Sequence, residues 1–303
     1  FQTLKANIES GKNVIDIAFF PEDPFQLDDL AKDNNVISIS DIGVAPGMSN
    51  ILVGYVDLIL DRTEKVIIYV GGLPKVREWP YEYKAVFSPI DVIEEYTRPA
   101  RYVENGHEVV REALTDCEYI HFEGLGTLES FNSDGLRSII HTMPHIVNMK
   151  EKTLRYPGHV EYIKVLKESG FFNETEIEVN GTKISPLDVT SNILFKEWKL
   201  GEEEEEITVM RISLKGENAD GKIEEVIYDL HDEYCHATKT SSMSRTTGYT
   251  ATAAANLFLE GLFSEKGVFP PELVGKYEAC FNYFLNYLKE RNIHYIKRSR
   301  VLA

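Results

Sequence analysis

The sequence predicts an α/β protein in two parts, the later portion of a doubly wound parallel sheet followed by a larger mixed-sheet α+β domain. Three observations carry this. Two apolar runs, Asn13 to Phe20 and Val36 to Ile39, are joined by a short helical stretch within the first fifty residues, the alternation of a parallel sheet buried on both faces. Downstream, strands recur with hairpin turns such as Asn105-Gly106 and Ala219-Asp220-Gly221, the pattern of antiparallel or mixed pairing. Between the two, Ser40 to Tyr55 passes from strand to helix through Gly43-Val-Ala-Pro-Gly47, at the carboxyl end of a strand, where open α/β sheets bind ligands. An ordinary βα loop has the same pattern. The change of pairing places a boundary near residues 47–54 and divides the chain into 1–50, 51–240 and 241–303, the last a set of helices packing back near the interface.

Taken in order, Thr3 to Ser10 reads as a helix closed by Gly11, and Asn13 to Phe20 as the strand after it. Leu27 to Lys32 is a short helix before the strand Val36 to Ile39, and Ser49 is the expected N-cap of the helix bearing Ile51, Leu52 and Tyr55. Lys65 to Val70 is a β-branched strand ending in Gly71-Gly-Leu-Pro74, with Tyr81 to Phe87 as another strand. Ser88-Pro-Ile-Asp91 starts a helix. Strands follow over the region from Arg98 to Val103 and at Tyr119 to Glu129, Thr153 to Tyr156, Glu206 to Leu214 and Ile223 to His231. Helices are expected at Val160 to Ser169, Ser244 to Gly261 and Pro270 to Lys289, and the acidic run Gly201 to Glu206 reads as a solvated loop.

At 303 residues the chain can bury a large core, and 43% hydrophobic with 27% charged residues is ordinary globular composition. No apolar run approaches the ~18 residues needed to span a bilayer. A net charge of -17 disfavours nucleic acid and anionic lipid and favours a small-molecule partner. Cys117, Cys235 and Cys280 are too few for a disulfide framework, and no secretory leader is visible, so the cytoplasm is the expected compartment. A chain opening on Phe1 rather than Met is expected to have lost something upstream.

Three stretches hold more polar and glycine content than packing needs. Thr153-Leu-Arg-Tyr-Pro-Gly-His159 offers Arg155, a planar fork suited to a carboxylate, and His159 at a helix start; a surface Arg beside a capping His has the same pattern. Ser241 to Ala251 is rich in hydroxyls, and with Arg245 it could line a polar cleft or simply cap a tightly packed helix. Ser130 to Ser138 is explained by Ser133 or Asp134 as an N-cap. The pairs His141/His145 and His231/His236 lack a full ligand set, so no metal is expected. No Gly-x-Gly-x-x-Gly occurs.

Six motifs, in order, are Gly43-Val-Ala-Pro-Gly47, Gly71-Gly-Leu-Pro74, Arg98-Pro-Ala-Arg101, Ser133-Asp-Gly-Leu-Arg137, Leu154-Arg-Tyr-Pro-Gly-His159 and Ser244-Arg-Thr-Thr-Gly-Tyr249. Together they resemble the saccharopine dehydrogenase family over nearly the whole chain, and within it the archaeal lysine 6-dehydrogenases. The resemblance implies a partial Rossmann domain, a catalytic and dimerisation domain on a mixed sheet, NAD or NADP as cofactor, and a homodimer. It also implies that the opening βαβ unit with its glycine-rich loop lies upstream of Phe1, so that this chain by itself lacks the primary dinucleotide site. Ala45 and Val70 stand where saccharopine-forming members carry Asp and Cys, which favours a smaller substrate such as lysine, oxidised at its ε-carbon. On this reading Asp16 and His159 are the candidates to take the ammonium proton. Arg155, Gly71, Gly72 and Arg245 meet the substrate, and Ala18, Phe19, Asp41, Gly43, Pro46 and Gly47 meet the cofactor. The alternative is a non-catalytic dimeric scaffold that keeps the fold without the cofactor loop.

Overall fold

The structure is a computed structural model that describes residues 1–302. In chain order it contains α1 (Gln2–Glu9), β1 (Val14–Ile15), α2 (Asp28–Asp33), β2 (Ile37–Ile39), α3 (Met48–Ile59), β3 (Arg62–Pro74), α4 (Pro89–Thr97), β4 (Ala100–Glu104) and β5 (His107–Arg111). Then follow β6 (Glu118–Phe122), β7 (Gly126–Asn132), α5 (Ile139–Thr142), β8 (Asn148–Arg155), α6 (His159–Glu168), β9 (Ile177–Val179), β10 (Thr182–Ile184) and α7 (Pro186–Glu197). The chain closes with β11 (Glu206–Glu217), β12 (Ile223–Glu233), α8 (Ser242–Leu259), β13 (Gly267–Phe269), α9 (Pro271–Gly275), α10 (Glu278–Lys289) and β14 (Tyr295–Val301).

Two sheets carry the fold, α/β as expected. The smaller runs β1-β2-β13 and is parallel throughout, its last strand arriving from over two hundred residues downstream. The larger is mixed, in the order β14-β12-β11-β3-β8-β4-β5, with only β3 and β8 parallel, and with β7 pairing the far half of β8. Alternation on β11 and β12 buries Met210, Ile212, Leu214, Val226, Tyr228 and Leu230 under helices. The same cluster holds Ile37 and Ile39 of the small sheet and Met48, Ile51, Leu52 and Val56 of α3, so one apolar core joins both sheets through α3. A second core gathers Tyr83, Tyr96, Phe131, Val160, Ile163 and Trp198 beside α4, α6 and α7.

Several elements differ from expectation for local reasons. Of Asn13 to Phe20 only Val14 and Ile15 pair in the sheet, because Asp16 Oδ1 accepts from Ala18 N at 2.7 Å and turns the chain away, leaving Ile17 and Phe19 exposed. The helix α3 is capped at Gly47 rather than Ser49, with Asn50 Oδ1 accepting from Gly47 N at 3.3 Å. Gly71 and Gly72 do not end β3; β11 pairs along it as far as Pro74, and the glycines stay extended inside the strand. Tyr81 to Phe87 is irregular, held by an isolated bridge from Ala85 to Lys199 and by packing of Tyr81 and Tyr83 on Trp198. Ser133 and Asp134 cap nothing, since helix begins only at Ile139; their side chains reach Glu151 and Arg101 instead. The expected Pro270 to Lys289 helix is broken at Lys276 and Tyr277 into α9 and α10. Glu206, at the end of the acidic run, is buried and accepts from Ser242 N and Met243 N at 2.8 and 2.7 Å, a carboxylate at the amino end of α8. The β9–β10 hairpin, α7 and β14 are further elements that the sequence reading does not place. Among the described residues no helix is long and apolar enough to cross a membrane.

Candidate active site

A cavity of about 410 Å³ opens between the two sheets at the carboxyl ends of β1 and β2. Its turn side is Ile17 to Phe19, Asp41 and Gly43 to Pro46; its floor is Val70 to Gly72 of β3 with Thr153 of β8; Met243 and Thr247 of α8 close one wall. Glycine is needed in the floor: a Cβ on Gly72 would lie 2.3 Å from Val86 Cγ2, and one on Gly71 would lie 2.8 Å from the Leu154 carbonyl oxygen. The remaining wall is charged. Asp91, Glu94 and Glu95 come from α4, Arg98 from the position that caps its carboxyl end, Asp134 from the loop after β7, and Glu151 and Arg155 from alternate positions on one face of β8.

Arg155 is 1% exposed and its fork is already engaged. Nη2 donates to Glu95 Oε2 at 2.7 Å, Nε to Tyr96 Oη at 3.2 Å and Nη1 to the Leu154 carbonyl at 2.9 Å. Arg155 therefore faces the cavity as half of an internal ion pair and not as a free carboxylate anchor. His159, the expected proton acceptor, lies behind it. Its Nδ1 lies 2.9 Å from the Tyr81 carbonyl, which can only accept, so Nδ1 carries the proton and Nε2 accepts from Tyr96 Oη at 2.9 Å. Burial, with Arg155 nearby, pushes its pKa down to about 3, so it is a neutral link that does not line the cavity.

The other expected site residues divide in the same way. Ala18, Phe19, Asp41, Gly43, Pro46, Gly71 and Gly72 line the cavity; Asp16, Gly47 and Arg245 do not. Asp16 uses its carboxylate on Ala18 N. Gly47 sits behind the turn as the cap of α3. Arg245 is buried against Asp232, at 3.3 Å, and donates to the Arg291 carbonyl. Asp41 is spent locally on Arg137, at 3.1 Å, and burial raises its pKa in spite of that partner. The Arg137 guanidinium also stacks 4.0 Å from the centroid of Phe19, fixing that exposed ring at the cavity mouth.

Glu151 is a site residue that the sequence reading misses. It is 5% exposed, and Ser133 Oγ donates to its Oε2 at 2.7 Å. Burial raises its pKa to about 8; the Ser133 hydroxyl and the Gly135 backbone favour the charged form and Glu95 and Asp134 oppose it, and among the described residues it forms no ion pair. The Ser133-to-Arg137 motif is the available signal, but nothing local to it points to residue 151. Among the described residues no cluster of three or more His, Cys, Asp or Glu could hold a metal ion.

Known proteins resemble this chain in sequence and in fold. The mitochondrial alpha-aminoadipic semialdehyde synthase of Bos taurus is 24% identical over 342 residues, covering 88% of this chain and 36% of its own length. The saccharopine dehydrogenase [NADP(+), L-glutamate-forming] of Pyricularia oryzae is 25% identical over 185 residues, covering 57% of this chain and 41% of its own length. This chain thus spans well under half of either relative. The apo saccharopine dehydrogenase (L-Glu forming) of Saccharomyces cerevisiae superposes with a TM-score of 0.79 at 17% identity, over 98% of this chain and 81% of that one, a likeness of fold. The sequence pattern of the saccharopine dehydrogenase C-terminal domain matches residues 43–293, most of the chain. The chain therefore belongs to the saccharopine dehydrogenase family.

Proposed function

We propose that this chain forms the substrate side of an NAD(P)-dependent dehydrogenase that oxidises an amino acid at a C–N bond, lysine at its ε-carbon. The observation that carries this is the charge of the cavity. Six carboxylates line it; Asp41, Glu94, Glu95 and Asp134 pair with Arg137, Arg98, Arg155 and Arg101, which leaves Asp91 and Glu151 without a guanidinium and suits a substrate with an ammonium group. The family and a relative named for NADP(+) support the redox class.

The turn side fits the nicotinamide end of NAD(P). Ile17 and Phe19 present apolar surface beside the backbone of Gly43 to Pro46, and a Cβ on Gly43 would come 3.2 Å from the Pro46 carbonyl, so a larger residue would crowd the turn. Bound there, NAD(P)+ supplies the hydride acceptor. The chain's own residues position the substrate and exclude water. Arg155 being engaged, the cation open to the lysine α-carboxylate is Arg98, whose pairing with Glu94 is a half-exposed helix-surface contact that costs little to exchange. Arg98→Ala is expected to raise KM for L-lysine roughly tenfold and to leave 1,5-diaminopentane, which has no carboxylate, unaffected. Equal effects on both amines would take the carboxylate away from Arg98.

The reading as a whole is tested by NAD(P)H formation with the full-length protein. Failure of lysine, saccharopine and carboxyspermidine-type substrates alike would reject it. A homodimer is part of the same reading. Beyond the helix-covered face, the large sheet has an open face where Arg211 and Arg298 flank Asp229, and Arg300 meets Glu225. A second copy with the same alternating charges is suited to cover it. Light scattering at micromolar concentration is expected to give the mass of a dimer, and a monomeric mass would reject this.

A further inference from the structure

The surroundings of Glu151 are built for its carboxylate and leave it without a counter-charge. A Cβ on Gly135 would lie 2.4 Å from Glu151 Cδ, so glycine there makes the space the carboxylate fills. Ser133 Oγ donates to it, and Thr153 Oγ1 donates to Ser133 Oγ at 2.8 Å, which fixes the hydroxyl's direction. The titratable groups that weigh most on it are Glu95 on α4 and Asp134 in the loop, with Tyr102 of β4 nearby, all acids. On its own strand, Arg155 is engaged by Glu95. An enclosed carboxylate on a cavity wall, hydrogen-bonded yet lacking a cation, is completed by a ligand that brings one.

We propose that Glu151 binds the substrate's ammonium group and takes its proton, with Ser133 and Gly135 as positioning residues, an inference that rests on the amine-oxidation reading above. The step balances. One N–H bond breaks and its proton passes to the Glu151 carboxylate. The freed lone pair then forms the second C–N bond as the ε C–H bond gives up hydrogen with two electrons to NAD(P)+, the oxidant; water adds to the resulting iminium, which breaks down to the aldehyde and an ammonium ion. A carboxyl raised to about 8 is far closer to an alkylammonium, near 10.4, than an ordinary carboxyl is, so the transfer is correspondingly easier.

The test uses the full-length protein with L-lysine as probe. In the wild type, kcat/KM is expected to rise with pH through an apparent pKa near 8, as Glu151 must be ionised to accept the proton. Glu151→Gln should lower kcat by about 10²- to 10⁴-fold and erase that rising limb. Ser133→Ala removes a bond that favours the charged form, so it should move the limb to higher pH with a smaller loss. Calorimetry without turnover should show L-lysine binding roughly tenfold weaker in Glu151→Gln. Folding of the variant is checked independently. A carboxyl whose folded pKa is raised stabilises the protein fully only below its unfolded value and loses that contribution as pH climbs towards 8, so Glu151→Gln should melt higher than wild type at about pH 9. A rising limb retained in Glu151→Gln with kcat within about threefold of wild type overturns the inference while leaving the oxidation reading intact. Binding that depends on Glu151 without NAD(P) reduction supports the ammonium contact and rejects the oxidation reading. No binding of L-lysine by wild type overturns both.

Discussion

Glu95→Ala is expected to cost about 3 to 5 kcal/mol of stability, more than most single changes in a chain of this size. The reason lies in Arg155. Its guanidinium is 1% exposed, and of its partners only Glu95 carries charge; Tyr96 Oη, Tyr83 Oη and the Leu154 carbonyl contribute hydrogen bonds. Removing Glu95 leaves a cation in a desolvated site with dipoles alone to hold it. The melting temperature should fall by roughly 5 to 10 °C. Glu95→Ala combined with Arg155→Met should recover much of the loss, because the uncompensated charge goes with it. A loss under about 1 kcal/mol for Glu95→Ala would mean that cavity water solvates Arg155, and would return that residue to the role of a carboxylate anchor. Thermal melts of the single and double variants decide the matter.

Gly47→Ala should be comparably damaging, through the backbone. Gly47 has φ 135°, a region that side chains rarely enter, and its Cβ would lie 2.0 Å from the Gly43 carbonyl oxygen and 2.3 Å from Gly43 N. Both obstacles are main-chain atoms of the turn, so no rotamer change relieves them. The turn from Gly43 to Gly47 has to open, carrying Val44 to Pro46 away from the cavity wall. We expect a loss of about 3 kcal/mol or more, with weakened NADH binding in the full-length protein. Gly124→Ala is the control. Gly124 has φ 79°, but a Cβ there would meet nothing within 4 Å, so only the backbone cost remains, about 1 kcal/mol. Equal melting temperatures for the two variants would show that the turn is not packed as described.

Local pattern set out much of the architecture. Alternation on Glu206 to Leu214 and Ile223 to His231 predicts two paired strands, and the structure pairs them from Ile207 with Glu233 to Glu217 with Ile223. Asn105-Gly106 turns a hairpin as its dipeptide chemistry requires, both residues having positive φ. Edge strand β14 escaped because its outward positions are Lys297, Arg298 and Arg300, and a strand buried on neither face shows no apolar period. Gly71 and Gly72 look like a strand end in sequence, and only the pairing of β11 across them keeps them inside β3.

The candidate site was legible as a set of stretches but not as a set of roles. The segment from Ser133 to Arg137 shows why. In sequence it is a polar loop with two good N-cap residues. In the fold Ser133 holds Glu151, Asp134 holds Arg101, Gly135 makes room for the Glu151 carboxylate and Arg137 holds Asp41 from across the chain. Periodicity reports which face of an element is buried, and turn chemistry reports where the chain reverses; both are properties of a few neighbouring residues. Whether a carboxylate ends beside a guanidinium, as Glu95 does, or alone on a cavity wall, as Glu151 does, depends on the register of β8 beside β7 and on where α4 comes to rest against them. Charge and desolvation act through space, so the same residue type at the same local pattern became a brace at one position and an open acceptor at the other only once the tertiary structure had chosen its neighbours.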